Sequence, residues 1–193
     1  PDENGTLYAA NHLYGILDAL IAYGFFSEQV EKKRKRINII ANNFLEIVRG
    51  IEKRAIFIST NGNPKKSELA KIITSLEEGD LLSFPSMRLS GYKLHEPSWK
   101  EGVGKMVKYA SSVVPLWFSG PNHGFIYNTL AKYESTSKFK ALFALREAWN
   151  KKGETITLAI GEPISREKLA EFNGNNARIA SYIRQEAEKL KYT

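Results

Sequence analysis

Gly5-Thr6-Leu7-Tyr8-Ala9-Ala10-Asn11-His12-Leu13-Tyr14-Gly15-Ile16-Leu17-Asp18-Ala19-Leu20-Ile21 decides the fold of this chain. Its apolar opening, Thr6 to Ala10, reads as a strand, and the stretch from Ile16 to Phe26 reads as a helix. His12 stands just beyond the strand, and Asp18 stands near the start of the helix. An imidazole titrates near neutral pH, and a carboxylate on its far nitrogen fixes the tautomer and stabilises the imidazolium formed during proton transfer. The pair is therefore an acid/base candidate, with His12 placed to take a proton from a hydroxyl or amine that attacks an acyl group. A lone His near a strand end is also often a structural residue, so spacing alone leaves both readings standing.

The alternation continues along the chain. Ile37 to Ala41, Ala55 to Ile58, Leu81 to Phe84, Val113 to Phe118 and Thr155 to Ile160 read as further strands. Pro115 points to an edge position or a strand start. Between the strands, helices are predicted over Asn43–Ile51, Lys65–Glu78, Trp99–Ala110, Phe125–Tyr133 and Lys138–Lys151, and a last one over Asn176–Lys191. Asn63 is a good N-cap for the Lys65 helix, with Pro64 at its first position. Leu69, Ile72, Ile73 and Leu76 share one face of it. This order predicts an α/β fold: a single domain over residues 1–193, with a mixed, largely parallel sheet flanked by helices. In such sheets the reactive groups gather beyond the carboxyl ends of the strands. His12, Pro85-Ser86 and Ser119-Gly120 all follow predicted strands and are expected to converge on one cleft.

Composition narrows the function classes. The 193 residues contain no cysteine, which excludes disulfides and thiolate metal sites. Three histidines with no tight carboxylate cluster argue against a dedicated zinc site, so no metal is expected. The longest apolar stretch, Gly15 to Phe26, is too short to span a membrane and contains Asp18. Pro1 rather than Met opens the chain, which is read as lacking an N-terminal segment. A net charge of +7 calls for an anionic partner. The charge peaks at Glu31-Lys32-Lys33-Arg34-Lys35-Arg36, which is either a solvated loop or a contact with an anionic membrane surface. Nucleic acid is not expected, because no nucleic-acid motif accompanies the charge.

The blocks of the chain resemble the glycerolipid (lysophospholipid) acyltransferase superfamily, and within it the bacterial branch often labelled putative hemolysin or ornithine-lipid-type acyltransferase. Asn11-His12 with Gly15, Leu17-Asp18 and Ala19 resembles the catalytic block, with the five residues between His and Asp that mark this branch. Gly79-Asp80-Leu81-Leu82-Ser83-Phe84-Pro85-Ser86-Met87-Arg88 resembles the second block, in which relatives carry Gly where Met87 stands. If that Gly has a positive φ, Met87 occupies its place at a cost. Trp99 with Gly102, Val114-Pro115 with Gly120 and Asn122, and Gly161-Glu162-Pro163-Ile164 resemble later blocks, in the right order. The Arg-bearing block expected after the third strand has no match in Ser59-Thr60-Asn61-Gly62.

The resemblance implies acyl transfer from a thioester to a hydroxyl or amine of a membrane lipid. The donor would be acyl-CoA or acyl carrier protein, with no other cofactor. His12 is the implied general base and Asp18 its partner. The substrate-binding set is Asn11, Ser86, Met87, Arg88, Gly120 and Asn122. Backbone N–H groups around Ser86, Met87 and Gly120 are candidates for holding the oxyanion, and the Arg88 fork suits a phosphate. His95 and His123 are read as exposed loop residues. Two other readings remain: glycyl transfer from an acidic carrier protein onto lipid A, and a non-enzymatic membrane-surface binding protein. The expected location is peripheral, on the cytoplasmic face of a bacterial inner membrane.

Overall fold

The structure is a computed structural model and describes residues 4–32, 36–47, 50, 53–59, 65–87, 97–120, 146 and 149–192. The described strands are β1 (Thr6–Ala10), β2 (Ile37–Asn42), β3 (Ala55–Ile58), β4 (Asp80–Ser83), β5 (Ser112–Ser119), β6 (Thr157–Ile160) and β7 (Ile164–Ser165). The described α-helices are α1 (Ile16–Lys32), α2 (Lys66–Glu78), α3 (Gly102–Met106), α4 (Arg166–Ala170) and α5 (Asn176–Lys189). One sheet runs in the order β3-β2-β4-β1-β5-β6, and β7 pairs with β5 beside β6. β1 to β5 are mutually parallel, whereas β6 and β7 run antiparallel to β5. The fold is therefore the expected α/β architecture with a mostly parallel sheet.

Alternation along the central strands divides the core in two. Leu7, Ala9, Leu81, Val113 and Trp117 face one side, where α2 (Ile72, Leu76), α3 (Val103, Met106) and α5 (Ile179, Ile183, Ala187) cover them. Ala10, Leu82, Val114, Leu116 and Phe118 face the other side, against Ala22 and Phe26 of α1. Both faces are covered, which is why β1, β4 and β5 read as near-continuous apolar runs. Because β4, β1 and β5 are parallel neighbours, their carboxyl ends emerge side by side on one edge of the sheet. That edge carries the site.

Several elements differ from the sequence expectation. Pro115 is not at an edge: β1 lies on one side of it, with Ala9 opposite. On the other side β6 pairs with residues 116–119 and β7 with residues 112–113. Pro115 sits at the changeover, where its carbonyl accepts from the Gly161 N–H at 2.9 Å. The N and O of one strand residue point to the same side, so the missing N–H faces the changeover and no β1 rung is lost. α2 begins one residue after Lys65, and the Glu68 carboxylate accepts the Lys65 N–H at 2.7 Å. Lys65 is thus the N-cap, and the expected Asn63-Pro64 lies outside the described residues. On α2, Ile72 and Leu76 are buried, but Leu69 is exposed. The Asn43 helix is a short 3-10 run ending at Ile47. The Trp99–Ala110 helix narrows to α3 followed by a 3-10 turn. α1 runs on to Lys32, beyond the expected end. β7 and α4 were not expected, being too short for periodicity to reveal. Of the two helices predicted between Phe125 and Lys151, only Arg146, Trp149 and Asn150 are described as helical.

Leu81 is fully buried, with Leu7 of β1 opposite it. Leu81→Ala is expected to destabilise the fold by about 3 kcal/mol, from lost transfer energy plus a cavity between sheet and α2. Urea denaturation at fixed pH checks this.

Candidate active site

The first turn beyond β1 builds the site. Asn11 is buried, and its side-chain amide takes over where the β1 backbone leaves the sheet. Its Nδ2 donates to the Phe118 carbonyl at 3.0 Å, and its Oδ1 accepts the Phe118 N–H at 2.6 Å. The side chain thus supplies one further rung to β1 and β5, freeing the main chain to turn. Asn11 was expected at the substrate, but the structure engages both ends of its amide with β5 and leaves it 2% exposed.

The chain then curls through Leu13 and Tyr14 to Gly15, which at φ 73° turns it into α1. Asp18 lies fully buried in the first turn of α1. One of its oxygens, Oδ2, accepts three donors: the backbone N–H of Leu13 at 2.8 Å, that of Tyr14 at 2.8 Å, and His12 Nδ1 at 3.1 Å. The other, Oδ1, is buried without a hydrogen-bond partner among the described residues. Burial pushes the Asp18 carboxyl above its ordinary range, while the donors from His12, Tyr14 and Leu13 pull it back down. His12 retains 22% side-chain exposure. Its ring packs 4.7 Å from the Phe84 ring at the end of β4. With Nδ1 donating to Asp18, the other ring nitrogen is left to act on a ligand.

The neighbouring strand ends complete the edge. After β4, Phe84 to Met87 form a turn closed by the Met87 N–H on the Phe84 carbonyl at 3.0 Å, and the Lys100 N–H binds the Pro85 carbonyl at 2.9 Å. The Met87 N–H is therefore engaged within the turn rather than open to an oxyanion. Ser86 is buried, at 1% exposure. Met87 adopts φ 54°, the left-handed region expected of a Gly position and costing a side-chain-bearing residue about 1–2 kcal/mol. After β5, Gly120 sits at φ 145°, and a Cβ there would lie 2.7 Å from the Tyr14 hydroxyl and 2.9 Å from the Thr155 carbonyl. Only glycine fits between them.

Tyr14 and Lys151 are neighbours of the site that residue patterns did not reveal. Lys151 is 4% exposed, and its Nζ lies 5.1 Å from the centre of the Tyr14 ring. Burial, reinforced by the charges of Asp18 and Glu154, holds the Tyr14 phenol above its ordinary value. No signal marks Lys151 in sequence, since Lys151-Lys152-Gly153 reads as an ordinary helix end. Arg88, Asn122, His95 and His123 lie outside the described residues.

Two curated proteins match the chain, both named lyso-glycine lipid O-acyltransferase. One, from Phocaeicola vulgatus, is 25% identical over 173 residues, which cover 85% of this chain and 61% of that protein. The other, from Bacteroides thetaiotaomicron, is 23% identical over 199 residues, covering 98% of this chain and 71% of its own length. The chain is a distant relative of lipid O-acyltransferases. That relationship agrees with the family resemblance of the sequence blocks. No family model and no solved structure matches the chain. The chain spans less than two thirds of the first of these lipid O-acyltransferases.

The raised Asp18 carboxyl has a consequence for stability. In the unfolded chain the carboxyl ionises near its ordinary value of 3.8, whereas in the folded chain it holds its proton to higher pH. Stability due to this group is fully present below that value and is lost as pH rises through the folded pKa. Relative to Asp18→Asn, the parent is expected to lose stability as pH rises above the ordinary carboxyl value of 3.8. Denaturant midpoints of the two proteins across that range test it.

Proposed function

We propose that the chain is an acyltransferase that moves an acyl group from a thioester to a hydroxyl of a membrane lipid. The observation that carries this reading is the His12–Asp18 contact of 3.1 Å at the carboxyl edge of the sheet, with the imidazole partly open to solvent. The names of the two relatives support oxygen rather than nitrogen as the attacking atom, and a lyso-type amino-acid lipid as the class of acceptor.

His12, held by Asp18 through Nδ1, removes the hydroxyl proton with its other nitrogen. The freed oxygen attacks the thioester carbonyl, giving a tetrahedral oxyanion. As that collapses, the carbon–sulfur bond breaks, and the imidazolium returns its proton to the departing thiolate. Asp18 stays buried throughout, stabilising the charged imidazolium. Asn11 acts as a positioning residue, tying the turn that carries His12 to β5. Acyl-CoA and acyl carrier protein both present phosphate, which suits a chain of net charge +7. No helix among the described residues is long and apolar enough to cross a membrane. A peripheral seat on the cytoplasmic face of a bacterial inner membrane completes the proposal.

His12→Ala is expected to lower turnover by about 10²–10⁴-fold, the usual contribution of a positioned general base. The assay supplies an acyl thioester and a lyso-type lipid and follows the product by mass spectrometry. A gain in mass of one fatty acyl group supports the proposal, and a gain of a glycyl group would replace it with aminoacyl transfer. Undiminished transfer by His12→Ala would remove His12 from the mechanism.

A further inference from the structure

Lys151 is a buried cation that the acyl-transfer steps do not use, and it is 4% exposed. Burying an ammonium costs free energy that an apolar side chain of similar length does not, so its place follows from what the charge meets. Its Nζ lies 5.1 Å from the centre of the Tyr14 ring, within the distance at which a ring quadrupole attracts a cation. Tyr14 is itself buried, and the attraction strengthens when both partners leave water.

Tyr14 links this cation to the acid/base pair. Its backbone N–H donates at 2.8 Å to Asp18 Oδ2, the oxygen that also receives His12 Nδ1 at 3.1 Å. At the other end of the side chain the hydroxyl lies against Gly120, where a Cβ would come within 2.7 Å of it. The same Cβ would meet the Thr155 carbonyl at 2.9 Å, so the end of β5 and the segment leading to β6 close on this tyrosine. Lys151 belongs to that segment. It sits in a turn where the Lys152 N–H donates to the Trp149 carbonyl at 3.1 Å and the Glu154 N–H to the Lys151 carbonyl at 3.0 Å. β6 begins at Thr157 and pairs with β5. Lys151 therefore grips the Tyr14 ring from a base tied to the sheet and outside the β1–α1 turn.

We infer that Lys151 is a positioning residue for the acid/base pair: through the Tyr14 ring it holds the Tyr14 N–H on Asp18, and through Asp18 it keeps Nδ1 of His12 engaged. The inference rests on the proposed role of His12 as general base. Without the cation the ring is free to shift, the Tyr14 N–H draws away from Oδ2, and the carboxylate loses one of the donors that fix its direction. The imidazole then loses alignment while no substrate contact is removed. The loss falls on kcat and leaves KM in place.

Lys151→Met keeps a long unbranched side chain and removes the charge, whereas Lys151→Arg keeps a cation for the ring. With acyl-CoA and a lyso-type lipid as substrates, Lys151→Met is expected to lower kcat about tenfold or more, with KM for both substrates within about twofold of the parent. Lys151→Arg is expected to recover most of that loss. Tyr14→Leu removes the ring and leaves Lys151 in place. It is expected to cost a similar factor, and the double variant no more than Tyr14→Leu alone, since both changes act through one contact. Nitrogen NMR of His12 reads the same link without turnover: the share of the Nδ1–H tautomer is expected to fall in Lys151→Met and in Tyr14→Leu. Tautomer shifts of this kind in a protein that transfers no acyl group would uphold the link from Lys151 to His12 and strike the acyl-transfer reading instead. Unchanged kcat and an unchanged His12 tautomer in Lys151→Met would overturn the inference. So would losses that add in the double variant and that Lys151→Arg does not recover. An unchanged His12 spectrum in Tyr14→Leu would overturn it even if Lys151→Met did not fold.

Discussion

A single buried oxygen organises the site. Oδ2 of Asp18 receives the N–H groups of Leu13 and Tyr14 and the Nδ1 of His12. The two backbone donors belong to the tight turn between β1 and α1, which has no strand or helix partner of its own. Without the carboxylate those N–H groups would be buried and unpaired, each costing about 1–3 kcal/mol. The group that shapes the turn is thus the group that aims the imidazole. Structure and chemistry share one acceptor, and a substitution there perturbs both.

The rest of the architecture serves to place that turn. Parallel pairing of β4, β1 and β5 brings three strand ends to one edge. Asn11 ties β1 to β5 one residue beyond the last backbone rung. Phe84, at the end of β4, gives the His12 ring a flat neighbour. Gly120 makes room for the Tyr14 hydroxyl at the end of β5. The contacts of Asn11, His12 and Tyr14 join the turn after β1 to residues at or just past the ends of β4 and β5, so the site exists only when the sheet has assembled. Met87 shows the same economy at one backbone position: a turn geometry that favours glycine is kept although the side chain is large.

Much of this was legible in the chain itself. The β1 run, the His12–Asp18 spacing and the alternation of strands and helices follow from periodicity and residue type, and each is local information. The Met87 backbone was legible in part: relatives carry Gly there, for which a positive φ was one reason, and Met87 has φ 54°. Other features depend on distant partners and left no local trace. The bonds of the Asn11 amide to Phe118 had no local signal, because a ladder-extending amide reads like any other in a sequence. Pro115 looked like an edge because the changeover between β6 and β7 lies more than forty residues away. Lys151 is a buried cation whose seat beside the Tyr14 ring is set by the fold and not by its neighbours in sequence. The expected roles of Arg88 and Asn122 fall on residues outside the described part of the chain.

The central claim is that Asp18 holds His12 with its proton on Nδ1, leaving the other ring nitrogen as the base. Nitrogen NMR of the protein labelled in its histidines reads this directly. The account predicts that the neutral His12 ring is the Nδ1–H tautomer in the parent and that Asp18→Asn abolishes this preference. A neutral His12 ring protonated on Nε2, unaffected by Asp18→Asn, would contradict it.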